Sequence, residues 1–169
     1  KTLPSSFQKE GASLYLIGDT NSDFGGSLYM KELFGKVEGT LVPLDYDKEL
    51  KLWELVIEAN KKGFLNAAKD VNVGGIAIAL AKMAAKSGKG ATCNVKVYDA
   101  RDIFSESFSC AIVEVNNEAD FVGMANEIGI EVEKIGTVGG DKLVCNTISK
   151  SVEAIRERYF NRFAEVVEQ

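Results

Sequence analysis

No histidine occurs among the 169 residues, so the chain can build neither a Ser-His-Asp triad, a Cys-His pair, a His-based zinc site nor an imidazole proton shuttle. Cysteine is scarce and badly spaced for pairing. Cys93, Cys110 and Cys145 are odd in number and stand 17 and 35 positions apart, which fits neither a disulfide framework nor a CxxC metal or redox pair and points to a reducing compartment. Burial as plain strand thiols is the simplest reading, since no imidazole is there to activate them. No apolar run approaches the roughly 20 residues of a membrane helix, and the start, Lys1-Thr2-Leu3-Pro4-Ser5-Ser6, has no signal-peptide core. Neither sign of charge dominates. The 20 basic and 25 acidic residues are interspersed and sum to -5, which argues against a nucleic-acid or lipid-headgroup footprint. A cytoplasmic protein with no membrane and no nucleic-acid partner is expected.

At 46% apolar and 27% charged the composition is that of an ordinary globular domain. A chain of this length buries on the order of 70% of its unfolded surface and needs no disulfide or metal staple. The missing initiating methionine and the polar, Pro-containing opening give residues 1–12 a linker character. The expectation is a single domain over 13–169 that belongs to a longer multidomain polypeptide.

Ser13-Leu14-Tyr15-Leu16-Ile17 reads as a buried strand. Residues 18–27 form a loop dense in Gly, Asn, Asp and Ser, followed by a short helix over 27–34 that stops at Gly35. A second helix has Leu50, Trp53 and Ile57 at i, i+3, i+7 with Val56 alongside, a cap at Asp45 or Asp47, and Gly63 past its end. These apolar residues, Trp53 included, predict its core face. Residues 64–71 form a strand, and Asn72-Val73-Gly74-Gly75 opens a helix with Ile76, Leu80, Met83 and Ala84 on one side before Gly88 and Gly90. Alternation over 91–97 predicts a strand with one wet face. Residues 110–115 form another strand and 118–129 a helix behind Asn116 or Asn117; 131–137 and 142–145 form a hairpin around Val138-Gly139-Gly140-Asp141. In the last helix, capped by Ser149 or Ser151, the residues Val152, Ile155, Tyr159, Phe163 and Val166 share a stripe expected to pack on the sheet. Arg156, Glu157, Arg158 and Glu165 face water. This order of elements predicts an α+β fold, a mixed β-sheet with helices packed mainly on one face.

Three segments carry groups that chemistry could use. In Asp70-Val71-Asn72-Val73-Gly74-Gly75 a strand turns into a helix, where free amides and the positive end of the helix dipole receive a phosphate and glycines permit close approach. Close packing of helix on strand is an equally good reason for the glycines. No Gly-Lys-Ser/Thr follows, so this is not a Walker A loop. If Gly75 is helical rather than left-handed, Gly75→Asp is expected to abolish anion binding and leave a folded protein. In the second segment Thr20, Asn21, Ser22, Gly25, Gly26 and Ser27 offer groups that cradle an anion or simply cap a turn. In the third, Glu106 and Ser107, within Phe104-Ser105-Glu106-Ser107-Phe108-Ser109, accept from a ligand's amine or hydroxyl groups or belong to a solvated turn. The candidate phosphate- or ligand-binding set is therefore Gly25, Gly26, Ser27, Asp70, Asn72, Gly74, Gly75, Glu106 and Ser107, with no catalytic residue and no metal ligand expected.

Four stretches recur together: Leu16-Ile17-Gly18-Asp19-Thr20 through Gly25-Gly26-Ser27-Leu28-Tyr29, Lys69-Asp70-Val71-Asn72-Val73-Gly74-Gly75-Ile76, Phe104-Ser105-Glu106-Ser107, and Ile135-Gly136-Thr137-Val138-Gly139-Gly140-Asp141-Lys142-Leu143. In that order and spacing they resemble the C-terminal domain of the aminoimidazole-ribonucleotide-synthetase-like proteins. Within that family the likeness is strongest to the last domain of an ATP-dependent purine-biosynthesis ligase. Its synthetase subunit converts formylglycinamide ribonucleotide and glutamine-derived ammonia to the amidine through a phosphorylated amide oxygen. The resemblance implies an internally duplicated enzyme whose cleft lies between nucleotide-binding domains and domains of this type. ATP and Mg would be held mostly by the other domains. The partners implied are upstream domains of the same polypeptide and a glutaminase subunit or domain.

The family often has His-Asp-Val-Ser-Asp/Glu-Gly-Gly where this chain has Lys69-Asp70-Val71-Asn72-Val73-Gly74-Gly75, and Glu-Ser-Gln where it has Glu106-Ser107-Phe108. A histidine of the Gly-rich loop is missing from Phe24-Gly25-Gly26-Ser27. These departures imply the structural or auxiliary half of a pseudo-symmetric enzyme, inactive as a fragment. The competing readings are a free-standing small-molecule-binding or scaffold module of the same fold, or a domain of a sister enzyme such as aminoimidazole ribonucleotide synthetase, selenophosphate synthetase or thiamine-monophosphate kinase.

Overall fold

The computed structural model describes residues 2–167, with side chains through residue 162. Strands β1 (Ser13–Ile17), β2 (Leu65–Asp70), β3 (Ala91–Cys93), β4 (Ala111–Val115), β5 (Val132–Val138), β6 (Lys142–Cys145) and β7 (Ile148–Ser151) form one mixed sheet in the order β2-β4-β1-β5-β3-β6-β7. Helices α1 (Leu28–Phe34), α2 (Tyr46–Lys61), α3 (Gly75–Ser87), α4 (Glu118–Ile128) and α5 (Val152–Val167) connect them, with a 3-10 turn at Ala100–Phe104. The helix ends follow local chemistry. Side chains of Ser27, Asp45 and Asn117 accept the first free amides of α1, α2 and α4, and Gly35, Gly88 and Gly129 close α1, α3 and α4 in the left-handed conformation. Among these residues no helix is long and apolar enough to cross a membrane.

The α+β class and the mixed sheet agree with the pattern of the sequence. Leu14 and Leu16 of β1 face a core built with Ile76, Leu80, Met83 and Ala84 of α3, while Tyr15 and Ile17 face a second core built with Leu55 and Ala59 of α2 and Phe121 and Ala125 of α4. Helices cover one face alone at the β3-β6 end, where Ala91, Cys93, Leu143 and Cys145 point into the first core and Thr92, Asn94 and Lys142 are exposed. At the β2-β4-β1 end both faces are covered.

Four expectations are corrected. The stripe Leu50, Trp53 and Ile57 is not the core face of α2, for these residues are 69%, 58% and 46% exposed and the buried ones are Leu52, Leu55 and Ala59. Both sets are spaced i, i+3, i+7 and lie about 200° apart around the helix, so periodicity alone does not choose between them. Second, β5 and β6 are not a hairpin, because β3 inserts between them, antiparallel to β5 and parallel to β6. The Gly139-Gly140 turn clasps the approach to β3: Gly139 N–H donates to Gly90 O and Gly90 N–H to Gly140 O, both at 2.8 Å. The local hairpin is β6-β7, turning at Asn146 with φ 54°.

Third, the linker-like start does not lie free. Phe7 is 1% exposed in the first core, Leu3 packs on the second, and Pro4 O accepts from Ala68 N–H at 3.1 Å. Glu114 of β4, fully buried, accepts from the Gln8 and Lys9 amides at 2.6 and 2.9 Å and from Asn66 Nδ2 at 3.1 Å. Three donors offset the burial of its carboxylate. Fourth, among the described residues of the α5 stripe Val152 is buried and Ile155 packs against the core, but Tyr159 is 42% exposed. Arg156 is half-buried and donates to Ala85 O rather than facing water. The side chains of Phe163, Glu165 and Val166 lie outside the described residues.

On the second face, Glu118 Oε2 accepts from Tyr15 Oη at 2.7 Å and Lys134 Nζ at 2.9 Å, and Oε1 from Ser13 Oγ at 2.8 Å. Lys134 first, then the two hydroxyls, hold the Glu118 carboxyl down to about 2 from an ordinary 4.5. Burial, with Glu118 beside it, pushes the Tyr15 hydroxyl up to about 12. Because the folded-state value is depressed, the stabilisation is complete above about pH 4.5 and is lost as pH falls through about 2. Glu118→Gln is therefore expected to be less stable than the parent at neutral pH, with the gap closing across that window. A gap that stays constant in urea titrations from pH 5 to pH 2 would refute the assignment.

Candidate functional site

Register places three loops at one end of the sheet, since Ile17 and Asp70, the last residues of β1 and β2, both pair with Ala111, the first of β4. The loop over 18–27 leaves β1, residues 71–74 leave β2, and residues 105–110 lead into β4. Glu106 ties them together. Its Oε1 accepts from Leu28 N–H at the start of α1 and from Gly74 N–H at the start of α3, both at 2.8 Å, and its own N–H donates to Asp23 O at 3.0 Å. Ser107 Oγ accepts from Asn21 N–H at 3.0 Å and donates to Asp23 Oδ2 at 2.8 Å. Ser22, held at φ 45°, donates to the buried Asp102 at 2.6 Å.

Of the nine residues singled out from the sequence, Gly25, Gly26, Asn72, Glu106 and Ser107 line one cavity of about 180 Å³ together with Asp23, Val73 and Phe108. Asp70 and Asn72 also border a neighbouring cavity of about 430 Å³, walled by Leu44, Trp53 and Phe108. Ser27, Gly74 and Gly75 line neither. Ser27 is buried and caps α1, donating to Phe24 O at 2.7 Å. Asp70 pairs with Lys69, which holds its carboxyl below the ordinary value, and it accepts from Asn72 Nδ2.

The three amides that lead into α3, those of Val73, Gly74 and Gly75, are already used. Gly74 N–H goes to Glu106, Gly75 N–H to Asn72 O at 2.8 Å, and Val73 N–H to Asn72 Oδ1. The seat that the glycines suggest for a phosphate holds a carboxylate of the same chain, drawn there by the same amides and helix dipole. Gly75 is left-handed, at φ 70°, and a Cβ on it would stand 2.6–2.8 Å from backbone atoms of Ile103, Phe104 and Ser105. The condition attached to the Gly75→Asp expectation, a Gly75 that is not left-handed, is therefore not met, and the substitution is expected to disturb the fold: the glycine admits the 3-10 turn against α3.

Asp23 and Asp102 carry little signal in the sequence, because lone loop carboxylates have no periodicity. The spacing of Asp99 and Asp102, which form a capping box, was the available signal for the latter. All three cysteines are buried and free. Burial pushes Cys93 and Cys110 up to about 12 and Cys145 to about 11, which leaves them without nucleophilic thiolate near neutral pH.

Residues 9–146 match the family model described as AIR synthase related protein, C-terminal domain. Among known proteins, the phosphoribosylformylglycinamidine synthase subunit PurL of Sulfurimonas denitrificans is 56% identical over 100% of this chain, and that of Sulfurovum sp. is 53% identical over the same extent. The chain spans 23% of the length of each. Among solved structures, T. maritima PurL complexed with FGAR superposes with a TM-score of 0.75 at 18% identity, over 91% of this chain and 29% of that one. Thiamine-monophosphate kinase from Stenotrophomonas maltophilia reaches 0.57 at 17% identity, over 85% of this chain and 52% of that one. The structural likenesses establish the fold, and the family match, over most of the chain's length, shows that the chain belongs to the AIR synthase related proteins as a C-terminal domain of that family.

Proposed function

We propose that the chain serves as the auxiliary C-terminal domain of a cytoplasmic phosphoribosylformylglycinamidine synthase, the ATP-dependent ligase that turns formylglycinamide ribonucleotide and glutamine-derived ammonia into the amidine. The observation that carries this is the 56% identity along its whole length to a synthase subunit several times longer. The state of the Glu106 junction supports an auxiliary role. Its amides are taken, and Asp23 and Glu106 line the cavity together, so the residues present do not fit the phosphates of a nucleotide. Among the described residues no group of three or more His, Cys, Asp or Glu stands ready for a metal. ATP and Mg are accordingly assigned to other domains of the same polypeptide, and ammonia supply to a glutaminase subunit or domain. Gly25, Gly26, Asp70, Asn72, Glu106 and Ser107 form a preorganised wall of the cleft, in which Glu106 and Ser107 meet hydrogen-bond donors rather than anions, while Ser27, Gly74 and Gly75 support that wall from behind.

Growth of a purine-requiring strain that lacks the synthase tests this. The natural polypeptide carrying this chain is expected to restore growth. The chain alone is expected not to, and when purified it should release no ADP from ATP in the presence of formylglycinamide ribonucleotide. A natural polypeptide that makes no amidine, or turnover by the chain alone that is lost on mutating its own residues, would overturn the proposal.

A further inference from the structure

Apart from the Glu106 junction, α3, α5 and β7 border a cavity of about 360 Å³. Its floor is hydrocarbon, made by Ile78 and Ala81 of α3 and by Ile155 and the Tyr159 ring of α5. Three cations stand at its border, Lys82 of α3, Lys150 of β7 and Arg158 of α5, and among the described residues no carboxylate lines it. In a chain of net charge -5 this is a local reversal of sign. The acids of α5 lie elsewhere: Glu153 and Glu157 border a separate cavity with Asp141 and Gly88, where Arg156 reaches Ala85 O. Neither Lys82 nor Lys150 takes part in an ion pair among the described residues. Lys82 acts on Asp70 only at a distance, adding less than Lys69 does to holding that carboxyl down.

We propose that this cavity binds a small amphipathic carboxylate, with its apolar body on Ile78, Ile155 and Tyr159 and its charged end held by the lysines at the border. Like charges gathered round an apolar recess raise the potential inside it and favour an anion there. The volume lies within the range of small-molecule sites, about 300–1,000 Å³, whose walls are mostly apolar with a few placed polar groups. Lysine suits the border, because its stem lies along apolar surface while the ammonium stays at the mouth. Cations above and carbon beneath fit one charged end on a hydrocarbon body. A polyanion or a sugar would need donors on every side, and the floor has none but the Tyr159 hydroxyl.

Equilibrium dialysis of radiolabelled octanoate against the natural polypeptide carrying this chain tests this and requires no turnover. Saturable binding below about 1 mM is expected. Octanol, which has the body without the charge, and acetate, which has the charge without the body, should each compete about tenfold less well or worse. These comparisons use the wild-type protein and stand whether or not a variant folds. Lys150→Glu, at an exposed position of β7, should weaken octanoate about tenfold or more by replacing an attraction with a repulsion. Ala154→Trp, at an exposed position of α5 that lines the cavity, should fill the space and block binding. Unchanged unfolding midpoints would show that both variants keep the fold. The absence of saturable octanoate binding, octanol competing as well as octanoate, or unchanged binding in either folded variant would each overturn the proposal.

Discussion

Gly75→Ala is expected to destabilise the domain by about 3 kcal/mol or more, adding the cost of a left-handed non-glycine residue to that of overpacking. The site offers no relief. At φ 70° the new methyl would meet the carbonyl oxygens of Ile103 and Ser105 at 2.8 and 2.7 Å and Phe104 C at 2.6 Å, and backbone cannot rotate away as a long side chain can. Gly129→Ala separates the two causes, because its φ is 75° and nothing lies within 4 Å of its Cβ position. That variant should lose only about 1–2 kcal/mol, the penalty of the conformation itself. Urea unfolding of both variants measures the difference. Equal losses would show that α3 shifts off the 3-10 turn at little cost and that the close approach is not what requires glycine.

Phe7→Ala should cost about 3–5 kcal/mol, the range for removing a fully buried aromatic ring from a core. A linker position would cost nothing, so the experiment bears directly on where the folded unit begins. Phe7 is 1% exposed among side chains that include Leu80 and Met83, and the amides that follow it are anchored on the buried Glu114 carboxylate. A loss below about 1 kcal/mol would mean that residues 2–12 open independently of the sheet.

The candidate site was legible in its parts but not in its wiring. The three segments were recognisable because glycines, hydroxyls and a carboxylate cluster in the loops, and the structure gathers five of the nine residues around one cavity. Which group occupies the amides of α3 could not be read. Glu106 lies 32 positions from Gly74 in the chain, and its arrival there depends on β2 and β4 ending side by side. The part played by Asp23 became visible only once the loops were in contact.

Elements whose signal is local were legible in the sequence to within a residue or two of their caps. Ser27, Asp45 and Asn117 cap helices because a side-chain oxygen can reach an amide two or three residues away, and Gly35, Gly88 and Gly129 end them because a glycine reverses the backbone at no steric cost. The absence of histidine and the mixture of amphipathic helices with half-wet strands were equally local facts. Tertiary structure decided what local energies leave degenerate. It chose between two equally spaced apolar stripes on α2, slipped β3 between β5 and β6 where turn residues alone suggested a hairpin, and folded the polar opening segment onto the core. In each case the deciding free energy is the burial of one surface against another distant in sequence, and no window of neighbouring residues contains that partner.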